Sequence, residues 1–369
     1  MNGEKPMFLM AGGGTGGHVI PAIAVAREVD RMGYEVLFVG TERGVENRMV
    51  PAAGFRLEKI RVGGLKNLGI ATRAISLWRL ITETAGQVVR FAEWKPAAVF
   101  SMGGYVAGPP VLAALVRGVP LVVMEPNAVP GFTNRHIARW VNKALISFEE
   151  TRRFFPKGRT ELTGRPVREE FFEMQPKTGG EFTVLITGGS QGSRTLNNAA
   201  RQSWPLFQSA ELPVRFIHQT GAAMYESVKG DFEKSGMAGE VTAFIADMAE
   251  AFGQADLIVC RSGGTVSELA ASGKPSLLIP FPFAADQHQQ KNAEAFVRAG
   301  AARMFLDRDW TGERFFEIVR ELYNDREQLR AMGEAARKLA RPGAARRAAE
   351  ILVEAAGFRI DSVVAESKQ

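Results

Sequence analysis

One cysteine, Cys260, occurs in 369 residues, so no internal disulfide can form. It closes an apolar run at 256–260 and is expected to be a small buried side chain. Histidine is scarce too: His18, His136, His218 and His288 lie far apart, and none stands at metal-ligand spacing to another or to the cysteine. No bound metal and no cofactor is expected. Long apolar runs are missing, since the longest, at 111–124, is broken by Arg117, Gly118 and Pro120, and a bilayer span needs about 20 residues. The opening MNGEKPMFLMAGGG is too poor in apolar residues for the core of a secretory signal, so the expected compartment is the cytoplasm. The basic residues form no long run, zinc-finger spacing or aromatic ribonucleoprotein signature, which argues against nucleic acid.

Hydrophobic content of 46% with 23% charged residues is that of a globular protein, and the net charge of +6 favours anionic partners. The length suggests two domains. In the first half, short apolar runs at 7–10, 35–39, 97–101, 121–124 and 144–147 alternate with helical patterns, the rhythm of a parallel sheet covered by helices. The loops after these runs leave one sheet edge, where ligands of such sheets bind. The first is AGGGTGGH at 11–18. Its glycines let the backbone approach a ligand, and the helix behind it offers N–H groups and a positive dipole end to an anion. His18, in the first helical turn, is disfavoured as imidazolium by that dipole, which suits a general base; the plain alternative is a helix-capping histidine. The third loop, SMGGYVAGPP at 101–110, has Pro109 and Pro110 placed to start a helix and Tyr105 at the turn.

Between residues 63 and 94, Ile70, Ala74, Leu77, Ile81, Ala85 and Val88 recur at three- and four-residue spacing and read as one core-facing stripe. Ile75, Trp78 and Val89 fall beside it, with Arg79 and Arg90 further round. That apolar edge next to positive charge is also what lies on an anionic membrane surface.

At residue 182 the grammar of the N-terminus returns in FTVLITGGSQGS: strand, glycine loop, helix. Further strands are expected at 214–219, 241–244, 257–260, 276–280 and 302–306. The domains are read as 1–160, a linker at 161–180 containing TGRPVRE, and 181–343. A helix at 344–356 is expected to pack back on the first domain, and the closing ESKQ to be mobile. CRSGGTVSELA at 260–270 places residues 262–265, including Gly264 and Thr265, at a helix N-terminus facing an anion. Glu268, one turn in, can accept two hydrogen bonds from a vicinal diol such as a ribose. The ADQHQQKNA loop at 285–293 groups donors and acceptors of the kind that read sugars. Gly12, Gly14 and Gly17 also satisfy the dinucleotide fingerprint, but its downstream acid has only Glu42 as a candidate, beyond the strand end. Asp307 and Asp309 form D-x-D, read as capping a helix near Thr311 rather than holding a metal.

With AGGGTGGH, GGYVAGPP, EPNAVPG, GRPVR, GGSQGS, CRSGGTVSELA and ADQHQQKNA in hand, the chain resembles, over nearly its whole length, the MurG family of bacterial peptidoglycan glycosyltransferases. The resemblance implies an α/β, GT-B architecture: two Rossmann-like, doubly wound parallel-sheet domains facing a cleft. It implies inverting transfer of N-acetylglucosamine from UDP-N-acetylglucosamine to undecaprenyl-diphosphoryl-N-acetylmuramoyl-pentapeptide (lipid I), giving lipid II, without a metal. Carried across by position, Thr15, Gly16, Gly17 and His18 lie beside the acceptor and transferred sugar. Asn127, Arg168, Ser190 and Gln289 match donor-binding positions. Arg261 and Glu268 match the nucleotide pocket, with Ile245, Gly264 and Thr265 as further expected substrate-binding residues, while Tyr105, Glu125 and Asn134 match polar cleft positions. His18 is the first candidate base and Glu125 the second. Met124-Glu125-Pro126-Asn127 departs from the family's His-Glu-Gln-Asn run, and an extra residue leaves Gln289 and Gln290 as alternatives for one site. The family's acceptor further implies a peripheral enzyme on the cytoplasmic face of the cell membrane, with the Ile75, Trp78, Arg79 edge as its docking site and other cell-wall synthesis proteins as partners. Readings outside this one are another UDP-sugar enzyme such as a glycolipid synthase or epimerase, a dinucleotide oxidoreductase, and a nucleotide-binding module without catalysis.

Overall fold

The computed structural model describes residues 5–63 and 70–359, with the backbone alone over 70–74. Its contacts divide the chain into two compact units, Met1–Pro166 with Gly343–Gln369, and Val167–Pro342.

The first unit opens with β1 (Met7–Ala11), α1 (Gly16–Arg31), β2 (Glu35–Thr41), α2 (Glu46–Ala52) and β3 (Arg56–Ile60). It continues with α3 (Ile70–Trp94), β4 (Ala98–Ser101), α4 (Gly108–Arg117), β5 (Leu121–Glu125), α5 (Phe132–Ile137), β6 (Lys143–Ile146) and β7 (Thr160–Leu162). All seven strands are parallel in the order β3-β2-β1-β4-β5-β6-β7. β1, β4 and β5 are buried along their whole length, as strands covered on both faces must be. The order turns back between β1 and β4, so the loops after those two strands flank the switch point where ligands of open sheets bind.

The second unit starts with the short helix α6 (Glu169–Phe172), then β8 (Phe182–Thr187), α7 (Arg194–Ser209), β9 (Val214–Gln219), α8 (Tyr225–Ser235), β10 (Ala238–Thr242) and α9 (Met248–Gln254). There follow β11 (Leu257–Cys260), α10 (Thr265–Ser272), β12 (Ser276–Leu278), α11 (His288–Arg298), β13 (Ala302–Met304), α12 (Gly312–Asn324) and α13 (Arg326–Lys338). The sheet order is β10-β9-β8-β11-β12-β13, again parallel, with its switch point between β8 and β11. Phe207, Phe216 and Phe315 fill its core edge to face, and Trp204 packs edge-on against Phe232, each phenylalanine worth about 1.5–3 kcal/mol of apolar burial.

The last helix, α14 (Ala344–Ala355), belongs to the first unit. Ala348, Ala349 and Leu352 share a core with Val19 and Val122, and Arg347 grips Glu161 of β7 with two hydrogen bonds, 2.6 and 3.2 Å.

Three expectations change. The stretch read as the linker, 161–180, contains the division between the units and carries structure of its own: its start is β7, Phe171 is buried edge-on against Phe252, and Lys177 bonds Asp256 at 2.7 Å. β3 and β7 escaped the apolar pattern because they are edge strands, and Arg56, Glu58 and Lys59 of β3 tolerate an open side. Most consequential is α3. Leu77, Ile81 and Ala85 of the expected core stripe point outward, with Ile75, Trp78 and Val89, while Ser76, Gln87 and Phe91 are buried and Val88 of the stripe packs half-buried against the core. The inward face meets α4, where Leu80 reaches Gly108 and Arg117 donates to the Val88 carbonyl at 2.9 Å. The side chains of Ile70 and Ala74 of that stripe, and the ESKQ end, lie outside what is described.

Candidate active site

In the first unit the glycine loop leaves β1 and enters α1 through Thr15, an extended N-cap (φ −135°, ψ 154°) that makes no side-chain cap. Gly14 has φ +85°, a conformation that a side chain disfavours, and a Cβ there would press on the Tyr105 ring. His18 sits half-buried in the first turn, its Nδ1 3.3 Å from the Gly13 carbonyl. The Arg165 guanidinium donates to the Gly17 carbonyl at 2.8 Å. Against the imidazole lies Gly104, also left-handed, where a Cβ would come within 3.2 Å of the ring. Tyr105 follows, 43% exposed. The loops after β1 and β4 therefore bring Thr15, Gly16, Gly17, His18 and Tyr105 into one group.

The loop after β5 supports that group from behind. Thr133 Oγ1 donates to the Gly104 carbonyl at 2.8 Å, and the Asn134 amide lies against Gly103. Glu125, at the end of β5, is buried. Its Oε1 accepts from the backbone and side-chain nitrogens of Asn127, both at 3.1 Å, and its Oε2 from Gly131 N and Asn134 Nδ2, both at 3.0 Å. Burial pushes its carboxyl up to about 7 against the pull of those four donors. The second candidate base thus has both oxygens engaged in fixing its own loop.

A linkage prediction follows. With a native value above the unfolded one, the folded state holds the proton more tightly, so stability falls as pH rises through the window from about 4.5 to about 7. The full loss amounts to about 3 kcal/mol. Glu125→Gln cannot titrate, so the wild-type minus variant difference in urea-unfolding free energy should shrink by that order between pH 5 and pH 8. A pH-independent difference would refute the shift.

In the second unit the matching loops follow β8 and β11. Ser190 is exposed in the first, and Ser193 caps α7 by accepting from Leu196 N at 3.3 Å. Arg261, just past β11, donates to Ser193 Oγ at 2.8 Å, to the carbonyls of Ile279 and Pro280, and to Asp307 at 2.5 Å. Its guanidinium braces three loops. That also corrects the D-x-D reading: Asp307 holds Arg261 and Thr195, and Thr311 itself caps α12 by accepting from Arg314 N. Gly264 is the N-cap of α10, Thr265 its first residue, and Glu268 stands half-buried in its first turn.

The alternatives at 289 and 290 separate cleanly. Gln289 Oε1 accepts from Phe281 N at 2.9 Å and its amide nitrogen lies beside Gly263, whereas Gln290 bonds Glu294 on its own helix. Only Gln289 faces the glycine turn. Before it, Asp286 and Gln287 are both left-handed (φ +53° and +54°), strain of the kind concentrated at ligand loops. Ile245 donates its N–H to Gln219 Oε1 at 3.0 Å, and Gln219 Nε2 donates to the Gly189 carbonyl at 2.7 Å. Gln219, unmarked by any motif, thus ties the Ile245 loop to the Ser190 loop. Arg168 lies apart from this group, exposed, paired with Glu170 at 2.7 Å and stacked on Phe171.

Comparison with known proteins points the same way. The model of the glycosyltransferase family 28 N-terminal domain matches residues 8–146, and that of the C-terminal domain residues 183–348. A UDP-N-acetylglucosamine–N-acetylmuramyl-(pentapeptide) pyrophosphoryl-undecaprenol N-acetylglucosamine transferase of Solibacter usitatus is 61% identical, over 95% of this chain and 96% of its own. The protein of that name from Myxococcus xanthus is 42% identical, over 94% and 92%. The crystal structure of MurG from Acinetobacter baumannii superimposes with a TM-score of 0.79 at 31% identity, covering 95% of this chain and 99% of that one. The chain belongs to glycosyltransferase family 28, and within it to the MurG family.

Proposed function

We propose that this chain transfers N-acetylglucosamine from UDP-N-acetylglucosamine to the 4-hydroxyl of the N-acetylmuramoyl group of lipid I, with inversion at the sugar carbon, giving lipid II. The observation that carries the reading is the 61% identity to a transferase of that activity across nearly the whole chain. The chemistry fits the residues. His18 takes the proton of the attacking hydroxyl, the O–C1 bond forms as the C1–O bond to the diphosphate breaks, and the leaving electron pair goes to UDP. The start of α10 and the loop after β8 offer backbone N–H groups to that diphosphate. Glu268 accepts from the ribose hydroxyls, Gln289, Asn127 and Ser190 contact the donor, and Glu125 and Asn134 hold the loop on which Tyr105 stands. The exposed apolar face of α3 docks on the anionic cytoplasmic surface of the membrane, which presents the lipid acceptor.

Calorimetric titration with UDP, UDP-N-acetylglucosamine and NAD in metal-free buffer, followed by a transfer assay on lipid I, tests this. UDP should bind and NAD should not. Glu268→Ala removes a charged acceptor of two hydroxyls, so UDP affinity should fall about 10- to 100-fold. NAD binding without UDP binding would move the chemistry to the first glycine loop as a dehydrogenase site.

A further inference from the structure

Glu46 opens α2, far in sequence from the glycine loop, and is fully buried. Its Oε2 accepts the Gly14 N–H at 2.8 Å, and its Oε1 accepts the N–H and the hydroxyl of Thr41, at 2.9 and 2.7 Å. Three glycines make room for it, since a Cβ at Gly13, Gly40 or Gly44 would collide with its side chain. Burial works against the charged form, but these donors outweigh it and hold the carboxyl below the ordinary glutamate value. A buried carboxylate is costly to keep unless its lone pairs are satisfied.

The geometry joins it to His18. The Gly14 N–H and the Gly13 carbonyl are the two ends of one peptide group, and that carbonyl is the partner of His18 Nδ1 at 3.3 Å. A carbonyl only accepts, so the bond needs the imidazole proton on Nδ1 and leaves the lone pair on Nε2. We propose that Glu46 is the positioning residue for His18: acting through the Gly13–Gly14 peptide, its carboxylate fixes the imidazole as the Nδ1–H tautomer, with Nε2 taking the proton of the attacking hydroxyl. A negative charge at the N–H end polarises the peptide and makes its carbonyl a better acceptor. As Nε2 gains the proton, the Nδ1–H bond becomes charge-assisted and strengthens, so the support is greatest when the reaction needs it. A carboxylate orients the histidine of hydrolase triads by direct contact; here a peptide group stands between them. Other titratable or charged groups facing the pair are Tyr105 beside Gly14, Arg165 on the Gly17 carbonyl, and Glu125, which reaches Gly103 through Asn134. The inference rests on His18 as the base.

The test uses the full chain. Glu46→Gln keeps the side-chain volume but cannot accept at both ends. Its kcat should drop about 10- to 100-fold, with KM for UDP-N-acetylglucosamine unchanged. The acid limb of kcat/KM should move to lower pH, because removing the carboxylate makes the imidazole less basic. His18→Gln is run beside it. If His18→Gln loses turnover while folded Glu46→Gln keeps wild-type turnover and pH limb, the positioning role is wrong. If His18→Gln keeps turnover, the base assignment itself falls. Should Glu46→Gln not fold, nitrogen-15 NMR of the histidine-labelled wild type decides, the His18 signals being those lost in His18→Gln. A proton on Nδ1 is expected, and a proton on Nε2 overturns the proposal.

Discussion

His18→Ala lowers turnover by about 10²- to 10⁴-fold, the usual worth of a positioned general base, and leaves the affinity for UDP unchanged. The two halves of that expectation come from different units. The imidazole belongs to the first turn of α1, between the glycine loop and Gly104, and the groups expected to hold the nucleotide belong to α10 and the loop after β8. Removing the ring deletes a proton acceptor without touching those groups. An interaction used only as the hydroxyl loses its proton shows in kcat and in kcat/KM alike. Steady-state transfer on a soluble lipid I analogue, with calorimetric titration of UDP, measures both halves. The acid limb of the pH profile should vanish with the ring. Retained turnover would hand the role to another group, and Glu125 is poorly placed to inherit it. Both its oxygens are already engaged, accepting four N–H groups of its own loop.

What could be read from the sequence was local. AGGGTGGH, FTVLITGGSQGS and CRSGGTVSELA each carry a strand, a glycine turn and a helix start in contiguous residues, so both parallel sheets and the loops at their switch points follow from the chain alone. Features set by partners distant in sequence did not. Glu46 carries no motif, and its importance lies in an N–H group 32 residues away. Arg261 matches a nucleotide-pocket position of the family, and its ion pair with Asp307, on a later loop, is visible only in the fold. Gln219 ends an ordinary buried strand, and only the fold sets it between two loops. Gln289 and Gln290 are indistinguishable as neighbours in sequence, but one helical step of about 100° turns them to different surroundings. α3 is the instructive reversal. Periodicity finds an apolar stripe but not what covers it: Leu77, Ile81 and Ala85, read as core, are exposed, and only Val88 of the described stripe packs inward.

That reversal gives the second large effect, loss of membrane binding when Ile75 and Trp78 are both replaced by serine. Ile75, Leu77, Trp78, Ile81 and Val89 are each more than half exposed, Trp78 at 67%, with Val116 of α4 at 69%. At 100° per residue, Leu77, Trp78, Ile81 and Val89 fall within an arc of about 120°, opposite the buried Ser76 and Gln87. Such a face left in water is costly, and its contiguity marks an interaction surface rather than scattered surface apolars. A lipid surface suits it better than a protein groove because tryptophan prefers the interfacial zone and Arg79 can meet anionic headgroups. Immersing one large apolar side chain is worth about 1.5–3 kcal/mol, so removing two should weaken partitioning into phosphatidylglycerol vesicles by about 100-fold or more. Arg79→Ser should cost about 1 kcal/mol, and only at low salt, since headgroup attraction is screened. Vesicle co-sedimentation across a lipid titration measures all three proteins, with UDP affinity as the control for folding. Turnover on a water-soluble acceptor should survive in the double variant while turnover on vesicle-borne lipid I falls, as expected of a face that serves only to bring the enzyme to its acceptor. Unchanged vesicle binding would mean that the outward stripe of α3 serves a different partner.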